Sequence, residues 1–352
     1  MTGRERFGRI LNREGCDRTG FWLGYPSAEA KRKYVEGLGI RSRGEEAREA
    51  GKLDVDLAAA LESDFVWVCP DQYLESWKHP EGKPVFDVLD GRERQSLNEA
   101  GALKDCRTAD DVKRFCWPDP GHWDFGATLD VMDYARSKGK GVASGMWSPF
   151  FHIAADLFGM DNYFMKMYTH PEVVMAATEK VVEFYLESNE RFLSLAAGKM
   201  DVMFFGNDLG SQVDLLISPE CFDKFLLPGY RRLVAQAKGY GLKVMHHSCG
   251  AIGKIIPRFI DIGIDALHPL QAKASGMEAE RLAREFGKDL IWVGGVDTQE
   301  LLPFGTAEEV RKRVGELRGI LGPGYVVSPS HEALLVNVGL ENVLAMKEAA
   351  IG

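Results

Sequence analysis

The chain has 352 residues, 45% of them hydrophobic and 27% charged, enough to bury a large core in one long α/β unit. Its formal charge of -9 is spread in short alternation along the chain, which disfavours nucleic-acid backbones and anionic membranes, so neither is expected as a partner. Six cysteines without a C-x-x-C pair, no run of eighteen apolar residues, and an opening stretch from Met1 to Phe7 without a secretory signal predict free thiols in a soluble, cytoplasmic protein.

In chain order, short apolar runs bounded by Gly, Pro or Asp alternate with longer amphipathic ones. The predicted strands cover residues 19–25, 65–69, 141–146, 202–206, 243–247, 266–268, 290–294 and 325–328. Runs of this kind suit strands covered on both faces. Residues 171–197, 219–238, 277–286 and 306–321 read as helices. In the second, Ser218 caps and Pro219 occupies the first turn, while Phe222, Phe225, Leu226, Leu233 and Val234 repeat with helical spacing and Pro228 introduces a kink. The fourth opens on the capping box Thr306-Ala307-Glu308-Glu309. Eight strands alternating with helices predict an α/β fold, a (β/α)8 TIM barrel forming a single domain over residues 1–352, because parallel strands need a crossover each time. A doubly wound open sheet is the alternative. Residues 71–124, rich in Trp, Pro, Gly and charge, interrupt the pattern as an insertion after the second strand, either a lid over the barrel mouth or a surface excursion with its own small core.

In such a barrel the working residues stand at the carboxyl ends of the strands. Those positions hold Trp22 and Tyr25, Asp71, Trp147, Asn207 and Asp208, His247 and Cys249, Gln271, Asp297, and finally Ser330 and His331. Strand side chains alternate, so His247 and Cys249 point the same way and can grip one ion, while His246 points toward the helices and Gly250 lets the chain turn away. With His331 from the eighth strand they make a tripod of two imidazoles and a thiolate, a donor set that favours zinc with an open fourth position. A strand-end histidine packed beside a free thiol is the plainer alternative. Asp208 and Asp297 can supply a fourth ligand, orient a histidine, serve as acid or base, or simply cap the following helix. Gln271 is a candidate substrate contact, and Trp22, Tyr25 and Trp147 are candidates for an aromatic wall. Neither a phosphate-cradling glycine loop nor a G-x-S-x-G elbow is present.

Taken together, Arg4-Glu5-Arg6-Phe7 through Cys16-Asp17-Arg18, Ser218-Pro219-Glu220, His247-Ser248-Cys249-Gly250, Gly294-Gly295-Val296-Asp297 and Glu341-Asn342-Val343 resemble the uroporphyrinogen decarboxylase superfamily over nearly the whole chain, including its corrinoid-dependent methyltransferase branch. The resemblance implies a (β/α)8 barrel. The decarboxylases carry an Arg-Gln-Ala-Gly-Arg segment for substrate carboxylates, but Gly20 to Pro26 contains no arginine. Asp71 stands loosely where they place an aspartate against pyrrole N–H groups. The methyltransferase branch implies zinc on a His-x-Cys pair and a later Cys; His247 and Cys249 match, and His331 replaces the later Cys. One thiolate and two neutral histidines leave zinc near a charge of +1, a stronger Lewis acid than a neutral centre. The expected activity is therefore zinc-dependent transfer of a methyl group from a methyl ether or methanol-like donor to a corrinoid on a partner protein, with thiol methylation second. Asp208 and Asp71 are its expected catalytic residues. A metal-free carboxy-lyase depending on Asp71 and a non-catalytic binding barrel are the other readings, with a homodimer among the assembly states open to the chain.

Overall fold

The computed structural model of the chain describes residues 1–71, 74–89, 91–92, 96, 98–271 and 273–352. Among them, eight parallel strands make one sheet: β1 (Gly20–Phe21), β2 (Phe65–Val68), β3 (Gly141–Ser144), β4 (Val202–Gly206), β5 (Lys243–His247), β6 (Ala266–Leu270), β7 (Ile291–Val296) and β8 (Tyr325–Pro329). From β2 to β8 each strand pairs with the next in the chain, and β8 returns to β1. The seam between β1 and β2 is tied by the Asp64 N–H, which donates to the Phe21 carbonyl, and by the Asp64 carboxylate, which accepts the Phe21 N–H, both at 2.8 Å. The architecture is the (β/α)8 barrel that the alternation of strands and helices predicts.

Alternation along the strands sorts the core into two layers. Phe65, Trp67, Val202, Phe204, Met245, Ala266, Ile291 and Val293 fill the barrel, whereas Val66, Val68, Met203, Phe205, Val244, Leu267, Trp292 and Val327 face the helices. Thr306 caps the helix Ala307–Leu321 through the expected box with Glu309. Two elements differ from expectation. The first predicted strand splits, since Tyr25–Pro26 leaves the barrel and pairs in parallel with Ala333–Leu334 just past β8. The helix predicted from Pro219 divides into Pro219–Cys221, a wide π turn over Phe222–Leu226, and Leu227–Gly239. Pro228 has no N–H to give, so the ladder slips by one residue ahead of it.

Within residues 71–124, positions 72–73, 90, 93–95 and 97 lie outside the described residues. The remainder packs on the outer helices: Phe86 and Trp77 meet Phe184 at ring separations of 5.0 and 6.2 Å, and the Trp123 indole N–H donates to Ser188 on the helix Pro171–Ala196. No helix among the described residues is long and apolar enough to cross a membrane.

Candidate metal centre

The His247-Ser248-Cys249 triplet ends β5. His246 points outward as alternation requires; it is buried among Tyr230, Phe205 and Phe259, and that burial pushes its pKa down to about 3. His247 points inward, with its ring 5.2 Å from that of Trp147. A Cβ on Gly206 would stand 2.5 Å from the Trp147 ring and 2.8 Å from Cβ of His247, so only glycine lets these two side chains meet. Gly250, at a φ of 85°, turns the chain away, and its N–H donates to Oε1 of Gln271 at 2.7 Å. The ends of β4 and β5 are bound together. Asn207 N–H donates to the His247 carbonyl, Leu209 N–H to Ser248 Oγ, and Cys249 N–H to Asp208 Oδ1 at 2.9 Å.

These bonds bring three different donors to one point. Nε2 of His247 lies 3.4 Å from Cys249 Sγ and 3.1 Å from Asp208 Oδ1. A tetrahedral zinc, with bonds of about 2.1 Å to nitrogen or oxygen and about 2.3 Å to sulfur, separates N from S by roughly 3.6 Å and N from O by roughly 3.4 Å. The residues therefore fit zinc in both chemistry and spacing. Among the described residues, Asp208, His247 and Cys249 form one group of donors within 4.8 Å of one another, and His247, His268 and Glu332 form a second. His331, expected as the third ligand, does not join the first group. Its ring centre is 6.0 Å from that of His247, its Nδ1 accepts the Ala333 N–H at 3.0 Å, and it reaches the centre through a hydrogen bond to the Cys249 thiol. The loop that carries His331 continues directly into the pairing of residues 333–334 with 25–26 beside β1.

Charges at this point are strongly coupled. Burial opposes protonation of His247, but Glu332, the Cys249 thiolate and hydrogen bonds with Asp208 and Cys249 together outweigh it and raise its pKa. Burial likewise opposes ionisation of Cys249 and of Asp208. The charge and hydrogen bond of His247 reverse that in both cases, helped by His331 at the thiol and by the Cys249 N–H at the carboxylate, so both acids fall below their usual range. Protonation of His247 and ionisation of Cys249 and Asp208 therefore favour one another.

The other predicted residues divide by what they touch. Tyr25 and Trp147 are half-buried at the mouth, while Trp22 is packed beneath it against Phe65, Phe204 and His268. Gln271 holds the Gly250 turn. Both oxygens of Asp297 are taken by the N–H groups of Gln299, Glu300 and Leu301, and Lys273 sits beside them at 3.2 Å, so the Asp297 carboxylate holds the turn leading into the helix Leu301–Phe304. Asp71 stands apart from the metal donors. Burial pushes its pKa up to about 6, and its carboxylate accepts the Trp147 N–H at 2.9 and 3.1 Å and hydrogen-bonds the Cys69 thiol. Sequence reasoning missed three residues. His152, on the helix Phe150–Phe158, accepts the Asp208 N–H through Nε2 at 3.0 Å. His268 lies in register with His247 on the next strand, and Glu332 lies 3.5 Å from Nδ1 of His247. The one available signal was parity, since His268 falls two residues after Ala266 and so faces into the barrel.

Known proteins share this fold and part of this sequence. A solved methyltransferase from Methanosarcina mazei superposes with a TM-score of 0.65 over 99% of this chain and 98% of that one, at 20% identity, a likeness of fold. The methylated-thiol–coenzyme M methyltransferase of Methanosarcina mazei is 28% identical over 166 residues, which span 47% of this chain and 42% of that protein, less than half the relative's length. The profile of the uroporphyrinogen decarboxylase (URO-D) family matches residues 100–351, from inside the segment after β2 through β8 and the last helix. With that match covering most of the chain, and the barrel it implies observed independently, the protein belongs to the uroporphyrinogen decarboxylase family.

Proposed function

We propose that this protein is a zinc-dependent methyltransferase, moving a methyl group between a small thiol and a corrinoid carried by a partner protein. The observation that carries the reading is the convergence of Asp208 Oδ1, His247 Nε2 and Cys249 Sγ at zinc-like separations on the barrel mouth. The name of the partial relative, which specifies methylated thiols and coenzyme M, supports the thiol class. The preference for methyl ethers drawn from sequence rested on a centre near +1. Asp208 adds a second anion to the thiolate, so a divalent ion held there is close to neutral. That charge weakens Lewis acidity toward an oxygen leaving group and preserves the nucleophilicity of sulfur. Methyl ethers stay as the second reading, favoured by the half-buried rings of Tyr25 and Trp147 beside the centre. Asp71, on which a metal-free carboxy-lyase would depend, spends its carboxylate on the turn that carries Trp147.

Asp208, His247 and Cys249 would hold the zinc, with His331 against the thiol. When bound, zinc supplies the Lewis acidity that lowers the pKa of a thiol to the working range. The protein's own groups do the rest. Gln271 and Ser248 fix the turns that aim the donors, His152 fixes the backbone of Asp208, and Trp147 and Phe204 exclude water from beneath His247. The test is methyl transfer from a methylated corrinoid to thiols, with zinc-loaded and zinc-stripped protein. Thiol-dependent loss of the methyl–cobalt signal, abolished by stripping, is the expected result. Turnover with methyl ethers alone, or equal rates without zinc, overturns the reading.

A further inference from the structure

The side of His247 that faces away from Asp208 and Cys249 carries a second arrangement. Nδ1 of His247 lies 2.9 Å from Nδ1 of His268, which is buried inside the barrel with its ring centre 5.1 Å from Trp22 and 5.6 Å from Phe204. Two ring nitrogens at that distance share one proton, since two lone pairs or two N–H groups would repel. The separation is that of an ordinary hydrogen bond between two ring nitrogens. Nε2 of His247 is the nitrogen turned to the other two donors. A neutral His247 that binds through Nε2 carries its proton on Nδ1, and His268 stands where that proton points. The proton of neutral His268 then falls on its own Nε2, which has no hydrogen-bond partner among the described residues. A ring present only to fill space between Trp22 and Phe204 would leave no such buried group, as phenylalanine would. The unpaired nitrogen is explained if the other one is needed.

We propose that His268 is a positioning residue for the metal-binding His247: its Nδ1 accepts the Nδ1–H of His247, fixing the tautomer and ring angle that present an unprotonated Nε2 to Asp208 and Cys249. The functional meaning of this bond rests on the zinc reading, but the bond itself does not. Glu332 is the rival acceptor. Its Oε2 lies 3.5 Å from the same Nδ1 and 3.3 Å from Nδ1 of His331, so it adds negative charge between two imidazoles without the distance of a good hydrogen bond to His247.

Two measurements on the full chain test this. Nitrogen-15 spectra of the histidine rings, with the His268 signals assigned by their loss in His268→Phe, should show His268 protonated on Nε2 and bare on Nδ1, with and without zinc. A proton on Nδ1 of His268 overturns the proposal whatever the metal does. Competition for Zn2+ against a chelator should show His268→Phe about 10- to 100-fold weaker than wild type. His268→Asn, whose side-chain oxygen can replace Nδ1 as acceptor, should recover most of that loss. Unchanged zinc affinity in a folded His268→Phe, or a larger loss in Glu332→Gln than in His268→Phe, also overturns it. If wild type takes up no zinc, the zinc reading falls and the nitrogen spectra alone judge His268. If His268→Phe does not fold, His268→Asn and single-site replacement of the other ring histidines provide the assignment.

Discussion

A buried imidazole between two acids stores a proton at the point where the proposed zinc would bind. His247 holds its proton above the ordinary histidine range because Glu332, Cys249 and Asp208 outweigh burial, while His247 in turn lowers the pKa values of Cys249 and Asp208. Zinc must displace the His247 proton from Nε2, so binding should release it. The sign follows: where His247 is protonated in the free protein, zinc affinity rises by about tenfold per pH unit, and levels off above its raised pKa. A competition titration across pH 6 to 9, with an indicator for released protons, measures both; an affinity flat over that range would exclude a protonated His247. Substitution makes the same argument from the other side. Cys249→Ala and His247→Ala should abolish zinc uptake, and Asp208→Asn should weaken it by about tenfold or more while leaving the barrel folded. Residue-level reading of the sequence reached His247 and Cys249 because strand alternation alone places them together. It offered Asp208 as fourth ligand, orienting group, acid or base, and His331 as third ligand, without choosing among the roles of Asp208, because the position of a side chain beyond a strand end depends on loop pairing. The bridge between residues 333–334 and 25–26 that follows His331 leaves only two-residue strands in the sequence.

At the level of elements, the turn after β3 depends on a carboxyl group buried beneath it. Asp71 accepts the Trp147 N–H, and burial pushes its pKa up to about 6. A raised carboxyl pKa favours the folded state when protonated, so this group's contribution is full below the unfolded value near 3.8 and diminishes as pH rises through about 6. Asp71→Asn cannot ionise. Relative to wild type it should be more destabilised at pH 5 than at pH 8, read by thermal unfolding; the opposite order would show the ionised form to be the one the turn requires. Helix capping makes an independent test away from the site. Thr306→Ala removes the side chain that accepts the Glu309 N–H and breaks the reciprocal box, costing about 1 kcal/mol in unfolding measurements with no change in zinc affinity. The cap was legible because its residues are local in sequence. The π turn ahead of Pro228 was legible only as a kink, since composition shows that a bond is lost and not how the ladder repairs itself.

Across the whole molecule, the proposed transfer to a corrinoid on another protein needs a face that surrounds the candidate centre without covering it. The loops after β4 and β8 stand on opposite sides of the mouth, four places apart in the eight-strand order. Both carry apolar side chains in solvent: Val213, 77% exposed, with Leu216 on one, and Leu335, 59% exposed, with Val336 on the other. Single exposed apolar residues are common, but two pairs flanking one opening fit the core of a docking surface whose middle must stay open. The chain's net charge of -9 gives no reason for a general attraction to another acidic protein, so contact should depend on these apolar residues. Val213→Asp and Leu335→Asp should therefore each slow methyl transfer with a protein-borne corrinoid by about tenfold, through KM, because burying an unpaired carboxylate at such a contact costs on the order of 1.4 kcal/mol or more. The same variants, supplied with free methylcobalamin, should keep the wild-type rate, since neither side chain belongs to the group proposed to hold zinc. Equal losses with the free and the carried cofactor would move these residues from docking to the integrity of the mouth itself.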